Sequence, residues 1–343
     1  MHGERIEGHH IDAFAELFEA SAIRPAEQVA ILTETGSRAI NVAIAELALA
    51  RLGVRPFRLV APTPRMGRMI VRSTGGTQAL TGLTPLVEAM KAADVVIDLT
   101  LEGLMHARET AEILKAGTRI QVISDEHPDM LSRMRLDPAL KDAVRAAARR
   151  AREAAVMRVT SEAGSDLTVD MTGAQTVGVW GWTDRPGTLA HWPGGIVVAF
   201  PRAGTVAGRL VLQPGDMNLT YKRYVESAVA LTLENDHVVR VDGDGVDARL
   251  MRDTWAAWGD ADATAVSHVG WGLNPAARWD ALTMMDRRDT NGTELRAVPG
   301  NFLFSTGANE FAGRFTEGHF DLPMMGCTIA LDGVPVVGAG RLV

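Results

Sequence analysis

The spacing of apolar and polar positions changes character part-way along the chain. Through residue 160, short β-branched runs alternate with longer runs of helical period. Residues 28–33, 56–61, 94–99 and 119–124 read as strands, and 37–52, 84–93, 107–116 and 137–158 as helices. The 94–99 run, DVVIDL, is apolar enough for a buried strand. Strand and helix in alternation predict a Rossmann-like α/β domain over residues 1–160, a parallel sheet with helices on both faces. After Thr160, glycine and proline become frequent and the apolar runs shorten. Residues 195–200, 209–212, 228–233 and 238–241 read as strands, the last two as a hairpin about Asn235-Asp236. A helix over 245–258 and a hairpin of 328–331 with 334–337 complete the expectation. Residues 161–343 are therefore expected to form a mostly antiparallel α+β domain.

Composition narrows the chemistry. The formal net charge of −7 is spread along the chain and gives no basic face of the kind nucleic acid requires. The Arg-rich 137–158 helix reads as a solvated face. Residues 1–13 are polar and lack the apolar run of a signal peptide, and no stretch reaches the roughly 18 apolar residues of a membrane span. The single cysteine, Cys327, lies in an apolar run, which excludes a disulfide framework or a cysteine metal cluster and predicts a reduced, cytoplasmic setting. Any metal must be held by histidines and carboxylates.

Common motifs are missing. The first strand runs into Glu34-Thr35-Gly36-Ser37 with no dinucleotide fingerprint, and the chain carries no P-loop, zincin helix or nucleophile elbow. Residues 242–247, DGDGVD, lack the sixth-position glycine and twelfth-position glutamate of an EF-hand, so they read as a polar turn.

Of the nine histidines, His2, His9 and His10 read most simply as solvated. His319 and Asp321, in GHFDLP, are more informative. In an extended strand, positions i and i+2 share a face, so both can point at one centre while Phe320 packs behind. The third ligand of a facial triad is expected from His268, in SHVGWGLNP, where glycines permit close backbone approach. Two histidines and one carboxylate with open positions is the set expected of non-haem Fe(II) oxygenases. A hydrogen-bonded structural group is the plainer alternative. Ser305, in GNFLFSTG, is placed either to reach such a metal or its water, or to make a strand-end hydrogen bond.

The segments SHVGWGLNPAARW (267–279), GNFLFSTG (300–307), HFDLP (319–323), AHWPGG (190–195), SEAGSDL (161–167) and CTIALDG (327–333) resemble, over nearly the whole chain, the 2,5-dihydroxypyridine 5,6-dioxygenase family. That family is related to the aminopeptidase T-like metallopeptidases. The resemblance implies a mononuclear Fe(II) enzyme of pyridine or nicotinate catabolism. It would add both atoms of O2 across C5–C6 of a small aromatic N-heterocycle to give N-formylmaleamate. It also implies iron ligation by His268, His319 and Asp321, a metal-proximal Ser305, and a homo-oligomer.

His106, just past the DVVIDL strand, lies at the carboxyl end of a sheet strand, where α/β folds place their crevices. An imidazole, with an ordinary pKa of about 6.5, suits an acid/base role. The resembling family has a histidine in this segment. His191 and Trp192 are candidates for ring contact, against an ordinary packing corner. Trp180, Trp182 and Trp271 are candidates for stacking, against core packing. A metallo-aminopeptidase-like hydrolase is the first alternative, although its two-metal centre needs a glutamate where His268 stands. A non-catalytic binding protein is the second.

Overall fold

The computed structural model describes residues 5–65 and 77–343. A five-stranded parallel sheet runs in the order Phe57–Ala61, Val29–Glu34, Val95–Asp98, Arg119–Ile123, Leu189–Trp192. The first four strands are those expected from the sequence. The fifth comes from beyond residue 160 and pairs with Arg119–Ile123. Helices Ala39–Arg51, Thr84–Lys91 and Thr110–Lys115 fall within their expected segments. Strand order reverses between Val29–Glu34 and Val95–Asp98, the arrangement that opens a crevice at the carboxyl ends of a doubly wound sheet.

The second half is largely antiparallel, as its texture predicts. A five-stranded sheet orders Phe320–Met324, Phe302–Thr306, Val266–Gly272, Ile196–Phe200 and Gln175–Val179, and an eight-stranded sheet packs against it. Alternation sorts the five-stranded sheet's side chains. Val197, Ala199, Val269, Phe304, Phe320 and Leu322 face the eight-stranded sheet. Ile196, Val198, Phe200 and Leu303 face the helices and loops of the parallel half. The five-stranded sheet is thus the middle layer, and its second face floors the cavity described below.

Two expectations need correction. The 137–158 helix ends at Glu153, and Val156–Thr160 is a strand of the eight-stranded sheet, paired with Asp166–Asp170 and Thr328–Leu331. Ala154 already has an extended backbone, and Val156 and Val159 suit a strand. The polar N-terminal segment carries a helix, Gly8–Ala20, whose Phe14, Leu17 and Phe18 are buried. His10 is therefore 2% exposed rather than solvated, whereas His9 is exposed. His2 lies outside the described residues.

Candidate metal centre and cavity

Asp321 is the second residue of the Phe320–Met324 strand. Its neighbours Phe320 and Leu322 face the sandwich core, so alternation turns Asp321 the other way. His319 lies two residues earlier, on the same side. Gly307, at φ +110°, lets the two segments approach, because a Cβ there would sit 2.1 Å from the Gly318 carbonyl oxygen. His268 arrives from the Val266–Gly272 strand, where the pairing with Phe302–Thr306 skips from Val266 to Val269. A bulge of this kind re-aims a side chain. The Nε2 atoms of His268 and His319 stand 3.7 and 3.2 Å from Asp321 Oδ1. All three side chains are buried.

The electrostatics suit a cation. Burial raises the Asp321 carboxyl, but the Arg296 guanidinium, His319 and His268 together outweigh that and hold it well below the ordinary carboxylate range. Arg296 Nε donates to Asp321 Oδ2 at 2.6 Å, and Ser305 Oγ donates to Oδ1 from the register-paired position. Burial pushes His268 down to about 3, so its imidazole is neutral and keeps a lone pair to offer. Two imidazole nitrogens and one ionised carboxylate oxygen, converging and desolvated, fit a single divalent cation. The Nδ1 atoms of His268 and His319 are buried with no hydrogen-bond partner.

His9, His10 and Asp129 also cluster, but their hydrogen bonds argue against a metal. His10 Nδ1 accepts the Glu7 N–H, so the proton sits on Nε2, which donates to Asp129 at 2.6 Å. No lone pair points at that carboxylate from His10. This group joins the Gly8–Ala20 helix to the one starting at Pro128.

A cavity of about 490 Å³ opens beside the centre, floored by Val198, Phe200 and Leu303 and reached by His268, His319 and Asp321. Two more histidines singled out from the sequence, His106 and His191, line it. His106 is held by a braced loop, in which the Asp98 carboxylate accepts hydrogen bonds from Thr100 and Leu104. Its ring centroid lies 5.7 Å from that of His319 and 6.5 Å from that of His268. His191 Nδ1 donates to the Pro193 carbonyl at 2.7 Å, and burial pushes its pKa down to about 4. It is a neutral imidazole with Nε2 left as an acceptor.

Trp192 is not brought to the cavity. On the Leu189–Trp192 strand it points opposite to His191, edge-on to Phe14, with its Nε1 bonded to the Met134 carbonyl. Trp180 and Trp182 line the cavity, whereas Trp271 is buried in the sandwich core. Two residues of the site escaped the sequence reading. Arg296, which clamps Asp321, and Glu310, whose Oε2 lies 3.0 Å from His106 Nδ1, carry no local signal among the many charges of the chain.

A layered α/β scaffold, with a two-histidine, one-carboxylate donor set at the wall of a largely apolar cavity, defines the class: a protein with room for a small ligand beside side chains that could hold a metal ion. Comparison with known proteins is more specific. A family model described as 2,5-dihydroxypyridine 5,6-dioxygenase matches residues 9–343, and the chain belongs to that family. The 2,5-dihydroxypyridine 5,6-dioxygenase of Pseudomonas putida is 35% identical over 336 residues, covering 96% of this chain and 95% of that protein. A solved structure of 2,5-dihydroxypyridine dioxygenase from the same species matches with a TM-score of 0.92 at 34% identity, over 97% of this chain and 96% of that one. AmpT from Thermus thermophilus has the same fold at greater distance, with a TM-score of 0.63 and 16% identity over 97% and 99% of the two chains.

Proposed function

We propose that the chain is an Fe(II)-dependent ring-cleaving dioxygenase. It adds both atoms of O2 across C5–C6 of 2,5-dihydroxypyridine, or a close analogue, to give N-formylmaleamate. The observation that carries this reading is the convergence of His268, His319 and Asp321 at the cavity wall, in a chain of this family. These three side chains would hold the iron. When bound, Fe(II) supplies a Lewis acid and one-electron exchange with O2, which no side chain here provides.

The protein's own groups bind, orient and move protons. Val198, Phe200 and Leu303 give a flat apolar seat that keeps water from the ring. His191, neutral and with Nε2 free, accepts a hydrogen bond from a ring hydroxyl or N–H. His106 takes the hydroxyl proton at Nε2, since Nδ1 is occupied. Arg296 and Ser305 fix the Asp321 carboxylate so that its position does not depend on the ligand. Ser305 acts through that carboxylate. A homo-oligomer in the cytoplasm is the setting we propose on the family resemblance and the buried lone Cys327.

Anaerobic reconstitution with Fe(II), followed by an oxygen-electrode screen of dihydroxypyridines and dihydroxybenzenes, tests the reading. Expected is O2 uptake that needs both iron and the pyridine diol, with one O2 consumed per ring opened. Cleavage of aminoacyl anilides without O2, or no uptake with any diol, would overturn it.

A further inference from the structure

We propose that Glu310 is the positioning residue for His106: its carboxylate receives the Nδ1 proton as a hydrogen bond and leaves the Nε2 lone pair facing the cavity. The inference rests on the proposed base role of His106 and adds a second member to it. A carboxylate oxygen can only accept, so the 3.0 Å contact between Glu310 Oε2 and His106 Nδ1 puts the proton on Nδ1. The ring's one remaining acceptor is Nε2. Once Nε2 has taken the substrate's hydroxyl proton, the imidazolium stands against a carboxylate that stays ionised and holds the positive charge in place.

The support around Glu310 is built for this. It opens the Glu310–Ala312 turn, and the preceding Asn309 is fully buried. Asn309 Oδ1 accepts the Ala312 N–H at 3.1 Å, its Nδ2 donates to the Pro201 carbonyl at 3.0 Å, and its backbone pairs with Arg314. Phe200 packs edge-on to His106 at 6.2 Å and to Phe311 at 5.0 Å. The imidazole and its carboxylate are therefore held from two separate segments of the chain. Burial raises the Glu310 carboxyl, and the hydrogen bond and charge of His106, with smaller help from the Glu310 backbone N–H and His319, together more than offset this, so the acceptor is ionised at neutral pH.

Glu310→Gln keeps the shape and removes the charge. The variant is expected to retain iron and the KM for the ring while kcat falls about 10- to 100-fold. In a His106→Ala background the same substitution should cause no further loss, because the group it orients is gone. Imidazole nitrogen NMR of the protein before iron is added gives a readout independent of turnover. His106 should show a protonated Nδ1 in the wild type and mixed tautomers in Glu310→Gln. Equal slowing in both backgrounds, a loss confined to KM or iron content, or an Nε2-protonated wild-type ring would overturn the proposal. If His106→Ala itself turns over at the full rate, the base assignment falls and the positioning role with it. If only the Glu310 arms fail, the base assignment stands.

Discussion

Four side chains, Arg296, Ser305, His268 and His319, meet the Asp321 carboxylate. Its two oxygens are held from opposite sides, Oδ2 by Arg296 and Oδ1 by Ser305, while the two imidazole Nε2 atoms face Oδ1. A carboxylate this deeply buried is tolerated only with such partners. His319→Ala and Asp321→Ala are each expected to abolish iron retention and O2 uptake, with far-UV circular dichroism unchanged for His319→Ala. Full activity in either variant would remove the triad assignment. His106→Ala is expected to keep iron, measured by metal analysis, and to slow turnover by roughly 10²-fold or more. An unchanged rate would eliminate the base role.

At the scale of elements, the site depends on where strands begin and bend. The bulge at Ser267-His268 turns an imidazole toward Asp321, and the Ser305 to Asp321 register sets the carboxylate's hydrogen bond. The Val246–Trp258 helix is anchored in a comparable way. Asp247, in its first turn, accepts hydrogen bonds from the Glu226 and Ser227 backbone N–H groups and the Ser227 hydroxyl, each at 2.9 Å. Burial raises this carboxyl, but those bonds more than compensate, so its pKa is lowered. Because the folded value lies below the unfolded one, the stabilisation is complete above the unfolded pKa of about 3.9 and is lost as pH falls through the folded value. Asp247→Ala should cost about 1–3 kcal/mol in urea unfolding at neutral pH. The gap to wild type should narrow below about pH 4. A gap that is constant or widens in acid would show that the ionised form is not the stabilising one.

For the whole molecule, three layers of sheet and helix bring together groups that belong to separate stretches of chain. The cavity lies where the carboxyl ends of the parallel strands meet the second face of the middle sheet. Because the fold's cores are closed by apolar side chains and need no ion to complete them, the protein should fold without metal, and metal binding should then add stability by mass action. At a free Fe(II) concentration about 100 times its Kd, that addition is about 2.7 kcal/mol. Under anaerobic conditions Fe(II) should raise the Tm of the wild type and leave that of His319→Ala unmoved. An equal rise in both proteins would place the metal elsewhere. Among the described residues, no helix is long and apolar enough to cross a membrane.

By itself the sequence determined what depends on near neighbours. The period of apolar residues located the first four parallel strands, the 229–242 hairpin and the Val246–Trp258 helix, and the i, i+2 rule put His319 and Asp321 on one side of a strand. It also exposed the family through its motifs. Where two periods competed, as at Val156–Thr160, the strand became visible only through its pairing partners. Trp192 had the chemistry for ring contact but the opposite strand parity from His191, and sheet packing decided which of the two met the cavity. Arg296 and Glu310 became part of the site only through tertiary structure. Each is one charge among many along the chain, and its meaning comes from a partner 25 or 204 positions away, a distance set by sheet register and layer packing rather than by any local pattern.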